Sequence, residues 1–123
     1  MVVYLASDLI WATKIKSTAQ AIGVEARPVR DLGMLEARLE DADPSALILD
    51  LEAPEVAMEM IGRLRGSDAS EHDRSVRILA FAPHVNRDLI DEARRLGADE
   101  VLTRGAFDHD LPEILLGLSA RSR

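Results

Sequence analysis

The sequence predicts an α/β domain: a three-layer sandwich around a five-stranded parallel sheet. Three observations carry this reading. Five short apolar segments recur along the 123 residues, each followed by residues of helical period. The central segment, Ala46-Leu47-Ile48-Leu49-Asp50, is apolar up to its last residue, as a strand covered on both faces must be. Short strands alternating with helical stretches require crossover connections, which are right-handed and place helices on both faces of a parallel sheet.

The first strand is read at residues 2–6. Ser7 or Asp8 then caps a helix that carries Trp11, Ile15, Thr18 and Ile22 on one face and stops at Gly23. The second strand, 24–29, contains Arg27 and Pro28, and a proline without an N–H suits an edge. The second helix, near 32–39, buries Leu32, Leu35 and Leu39 before the turn-rich Asp41-Ala42-Asp43-Pro44. After the third strand, 46–50, a helix over about 55–64 aligns Val56, Met60 and Leu64, with Met58 and Met60 read as core or helix surface. Residues 66–75 are polar and lack a period, and are read as an exposed loop. The fourth strand, 77–81, leads to a helix capped by Asn86 that carries Leu89, Ile90, Ala93 and Leu96 until Gly97. The fifth strand, 100–103, precedes a helix from about Asp108 with Leu111, Ile114, Leu115 and Leu118, where Pro112 lies in the first turn and removes no needed N–H. Five such units give the flavodoxin-like strand order 2-1-3-4-5, which puts the proline-bearing second strand at an edge. The domain is assigned to residues 1–119, and 120–123 are read as a short flexible tail.

Composition narrows the function. Twenty-two acidic and fifteen basic side chains give a net charge of −7, which repels nucleic-acid backbones and anionic membranes. Four aromatics, Tyr4, Trp11, Phe81 and Phe107, do not make a base-stacking platform. The chain has no cysteine, no long apolar run and no signal-peptide pattern, so a cytoplasmic location is expected. Ala6-Ser7-Asp8-Leu9 lacks the glycines of a phosphate loop, and neither a serine elbow nor a Cys/His pair is found. No enzymatic activity and no resident cofactor are expected.

Asp50 draws attention because open α/β sheets carry their chemistry at the carboxyl ends of their strands. Leu47-Ile48-Leu49-Asp50-Leu51-Glu52-Ala53-Pro54 and Gly97-Ala98-Asp99-Glu100-Val101-Leu102-Thr103-Arg104 resemble the third-strand and fifth-strand segments of CheY-like receiver domains of two-component response regulators. The resemblance covers essentially the whole chain. It implies that Asp50 stands at the phosphoacceptor position, with Mg²⁺ held by the acceptor and by an acidic pair after the first strand. It also implies a hydroxyl after the fourth strand and a lysine after the fifth, both on the phosphoryl oxygens. In this chain the acidic pair falls at Ala6 and Ser7, the hydroxyl at Ala82 and the lysine at Arg104, while Gly105 replaces a proline and Val101 a tyrosine.

Two roles are open for several of these residues. Asp50 is either a phosphoacceptor or an inherited carboxylate paired to Arg104. Asp8 is either a helix cap or, with Asp50 and Glu52, part of a weak Mg²⁺ site. Trp11 covers the sheet edge or lines the site. His84 lies near the site, and His72 and His109 lie in polar surroundings without metal spacing. The leading expectation is a pseudo-receiver, a signalling module that acts through a protein partner such as a histidine kinase and is not switched by Mg²⁺-dependent phosphorylation. The alternatives are an atypical phosphoacceptor using Asp50 and a small-ligand sensor at the strand tips. By resemblance, the fourth helix, fifth strand and fifth helix form a partner or homodimer face, which here holds Arg87, Asp91, Arg94, Arg95, Asp110 and Glu113.

Overall fold

Side-chain alternation along the central strands divides the core into two layers. In the computed structural model, which describes residues 1–83 and 85–120, the elements run β1 (Val2–Leu5), α1 (Leu9–Ile22), β2 (Ala26–Pro28), α2 (Leu32–Asp41), β3 (Ala46–Asp50), α3 (Pro54–Arg65), α4 (Glu71–Arg74), β4 (Arg77–Ala82), α5 (Arg87–Leu96), β5 (Glu100–Thr103), α6 (Arg104–His109) and α7 (Leu111–Ser119). The strands are parallel in the order β2-β1-β3-β4-β5. Val3, Leu5, Leu47, Leu49, Ile78 and Ala80 pack with α2, α3 and α5. Val2, Tyr4, Ala46, Ile48, Leu79 and Phe81 pack with α1, α6 and α7. His84 and the last three residues of the expected tail lie outside the described residues.

Most elements stand where the apolar pattern put them, and the differences have local causes. The buried stripe of α1 is Trp11, Ile15 and Ala19, with Thr18 only half-buried beside it. Asp8 caps this helix by accepting from the Trp11 N–H (2.9 Å), and Gly23 closes it in the left-handed conformation (φ 75°). β2 shortens to three residues because only β1 pairs with it. Asn86 precedes α5 without a side-chain capping bond.

Two short helices replace expected loop. In α4 the Ser70 Oγ accepts from the Asp73 N–H (3.0 Å), and Arg63 reaches Asp73 (2.6 Å) and Glu36 of α2 (2.5 Å). The hydrogen bond from Arg63 holds the Asp73 carboxyl below its ordinary pKa. In α6, Thr103 ends β5 and caps the next turn through Ala106 N–H (3.2 Å). The helix expected from Asp108 is therefore split at Asp110, and α7 begins at Leu111.

Gly97, after α5, has φ 121°, and a Cβ there would lie 2.7 Å from Arg65 Cγ. Arg65 is held in that place by the Val76 carbonyl (2.7 Å) and by Asp99 (2.9 Å), which also accepts from the Ile78 N–H (2.8 Å). Gly97→Ala is expected to cost about 1–3 kcal/mol in urea unfolding. Placed on an Arg65→Ala background, the same substitution should cost less, because only backbone strain remains. Equal losses on the two backgrounds would show that the close approach contributes nothing.

Candidate functional site

Asp50 ends β3 on the side of the sheet that faces α1, since it shares the parity of Ala46 and Ile48. It has no exposed surface. Its Oδ2 accepts from the Ser7 backbone N–H (2.9 Å) and from the Ser7 hydroxyl (2.5 Å), and its Oδ1 accepts from the Glu52 N–H (3.0 Å). Every contact is a donation to the carboxylate, the role an ionised side chain fills. Ser7 thus supplies a hydroxyl where the resemblance implies an acidic group.

Arg104 is not Asp50's partner. Its guanidinium pairs with Glu52 (3.1 Å), which stands outside the buried tip, and lies over the Trp11 ring (5.8 Å to the centroid). The physical reason is burial: Asp50 has no exposed surface and already accepts from two backbone N–H groups and a hydroxyl, while the exposed Glu52 is open to the cation. Arg104 Nε is itself buried with no hydrogen-bond partner among the described residues. Asp8 is engaged as the α1 cap, through Oδ1.

Trp11 does not cover the sheet edge. It leans on Phe81 of β4 (5.1 Å) and Phe107 of α6 (5.7 Å), which stack on each other at 4.2 Å and 4°. Lys14 stands over the same indole (5.4 Å) and pairs with Asp108 (2.5 Å), tying α1 to α6. This aromatic stack is the floor on which Arg104 rests. Ala82 is fully buried and belongs to the core layer of α2, α3 and α5, where its methyl offers no polar contact.

Two hollows open at the strand tips. One, of about 510 Å³, is lined by Pro83, Thr103, Arg104 and Gly105. The other, of about 260 Å³, lies between α1 and the ends of β1 and β2. Asp50 lines neither. Among the described residues no group of three or more His, Cys, Asp or Glu side chains is gathered in metal-binding fashion. His72 bonds Asp43 (2.6 Å) and His109 bonds Asp110 (2.8 Å), and the latter hydrogen bond raises the His109 pKa.

On the opposite flank, Arg87, Asp91, Arg94 and Arg95 of α5 and Asp110 and Glu113 beside α7 are all exposed. Arg95 is engaged by Glu92 of its own helix (2.5 Å) and Asp110 by His109. No described helix is long and apolar enough to cross a membrane.

Sequence reading found Asp50, Ser7, Asp8, Glu52 and Arg104 as site residues but missed the Ser7 to Asp50 bond. The parallel register aligns Leu5 with Leu49 and so carries Ala6 to the level of Asp50, with Ser7 one residue beyond.

No protein-family model and no curated protein matches the sequence. Solved structures do. The chain is similar to a response-regulator signal receiver domain from Bermanella marisrubri, with 18% identity, 97% of each chain covered and a TM-score of 0.78. It is also similar to the chemotaxis response regulator CheY4 of Vibrio cholerae, with 18% identity, 95% of this chain and 96% of that one covered, and a TM-score of 0.75. The isolated receiver domain of RcsB from Salmonella enterica shares 21% identity over 96% of this chain and 86% of its own, with a TM-score of 0.70. Strand order, helix placement and near-complete coverage together show that the chain has the CheY-like fold of response-regulator receiver domains.

Proposed function

We propose that the protein is a pseudo-receiver: a non-enzymatic signalling module that works by contact with a protein partner and is not switched by Mg²⁺-dependent phosphorylation of Asp50. The observation that carries this reading is the closure of Asp50, whose carboxylate has no exposed surface and accepts hydrogen bonds from three donors. In-line attack on a phosphodonor needs an accessible oxygen with free lone pairs. The side chains present also fit Mg²⁺ poorly. Ser7 is neutral, Asp8 is committed to its cap, and both Asp50 oxygens already accept hydrogen bonds. Ala82 adds no hydroxyl to report a phosphoryl group. With its acceptor closed, the module has its exposed faces to work through, and the mixed charges of α5 and α7 suit a charged partner or an isologous pairing.

The test is a titration with Mg²⁺ and then beryllofluoride, followed by Trp11 fluorescence and backbone amide shifts. The proposal expects no saturable change at Ser7, Asp50 or Arg104 at millimolar metal. A saturable change there, or a phosphoryl mass gain with acetyl phosphate that Asp50→Asn abolishes, would overturn it in favour of an atypical phosphoacceptor.

A further inference from the structure

We infer that a second copy of this chain docks on the face formed by α1, α6 and α7, in an isologous pair that lays α1 of one copy on α6 and α7 of the other. The inference is separate from the proposed function, since a chain whose Asp50 took a phosphoryl group could pair in the same way.

Exposed apolar surface is concentrated on this face. Among the described residues four large hydrophobic side chains are exposed, and three of them, Leu9 (80%), Ile10 (76%) and Leu116 (51%), belong to α1 and α7. These two helices pack side by side on one side of the sheet. Leu9 and Ile10 join Thr13 and Ser17 around a shallow, largely apolar hollow on the outer side of α1. A contiguous apolar surface rimmed by polar groups is the kind that a protein partner covers.

Charge identifies the partner. The 14 residues of α1 include Lys14 and Lys16 and no acid, in a chain with 22 acidic side chains. Across the seam, Asp108, Asp110 and Glu113 are exposed, and α7 has no basic residue. Lys14 pairs with Asp108 within one chain (2.5 Å), which sets the basic and acidic halves at the same level along the helices. A two-fold axis along that seam brings the basic half of each copy onto the acidic half of the other, the self-complementarity that an isologous interface requires. Stacking α1 on α1 would oppose lysines instead. α5 lacks this polarity, because it carries both signs and Glu92 engages Arg95 within the helix. A helix about 21 Å long beside a second one spans a face about 20 Å across, the footprint of a small to standard-size interface.

The experiment measures the mass of the whole chain by light scattering and sedimentation from micromolar to millimolar concentration. The mass is expected to rise toward twice the 13.5 kDa of one chain, and the pairing to weaken with salt. Lys16→Glu and Glu113→Lys, both at exposed positions, should each weaken the pair about tenfold, and the two together should restore most of it, because the opposite charges are then exchanged rather than lost. Ile10→Asp should weaken it as well, whereas Arg94→Glu on α5 should leave it unchanged. A monomeric mass at every concentration, a dimer lost in Arg94→Glu but kept in Ile10→Asp, or a charge exchange that restores nothing would each overturn the assignment.

Discussion

Phe81→Ala is expected to lower the unfolding free energy by about 3–5 kcal/mol, the largest loss from any single truncation near the site. Phe81 has no exposed surface and is wedged between Trp11 and Phe107, so its removal opens a cavity whose walls come from β4, α1 and α6. Those walls are poorly able to collapse, because β4 is paired on both sides and Lys14 clamps α1 to α6. Against a typical domain stability of about 5–15 kcal/mol, such a loss lowers the melting temperature by on the order of 10 °C or more. Phe81→Leu keeps most of the volume and should cost only about 1 kcal/mol, much of it the lost ring stacking. The two variants also differ in a functional readout. Arg104 rests on the Trp11 ring, so loosening Trp11 in Phe81→Ala should move the Arg104 amide and side-chain signals, whereas Phe81→Leu should leave them near their parent positions. Equal stability losses in the two variants would mean that the cavity is not the cause.

The parts of this architecture that were legible in the sequence are those controlled by burial. β3 and β5 have the bounds their apolar runs indicate, and the proline in β2 does mark an edge. The elements that were missed are controlled by single side-chain caps. Ser70-Glu71-His72-Asp73 has the spacing of a capping box, a signal present in the loop segment but masked by the absence of apolar residues. Thr103 serves both β5 and α6, and a residue with two roles is assigned to the stronger period, here the strand. At the site, the strand-tip position of Asp50 followed from its place after an apolar run. Its partner did not follow, because the choice between Arg104 and Ser7 depends on which donor the parallel register brings to the tip. Opposite charge suggested Arg104; geometry selected the hydroxyl and N–H of Ser7 and left the arginine to Glu52. Phe81 and Phe107 are far apart in sequence, and nothing in either local pattern signals that they stack.

Asp50→Ala is expected to destabilise the protein by about 2–4 kcal/mol, and the sign of that effect bears on function. Where carboxylates crowd one site, mutual repulsion makes each of them destabilising without a metal, and removing one relieves the strain. The Asp50 tip has the opposite character. Ser7 donates twice and Glu52 once, so truncation leaves three donors without their acceptor, two of them backbone N–H groups fixed by the strand tips. Ser7→Ala removes the hydroxyl alone and should cost about 1–2 kcal/mol, with the Ser7 N–H bond retained. In Asp50→Ala, the further change Ser7→Ala should be nearly neutral, giving a coupling energy of about 1–2 kcal/mol in the double-mutant cycle. Ser7→Asp reverses the electrostatics by placing a second carboxylate beside the first. It should destabilise the metal-free protein by more than Ser7→Ala does, and millimolar Mg²⁺ should recover part of the loss, whereas the proposed closed site expects no response of the parent protein to the ion. A parent protein that gained stability on Asp50→Ala would show that Asp50 behaves as a strained acceptor carboxylate, and the closed reading of the site would fail. Destabilisation, with Mg²⁺ dependence appearing only when Ser7 becomes acidic, would support the proposed closed site and trace its closure to the Ser7 side chain.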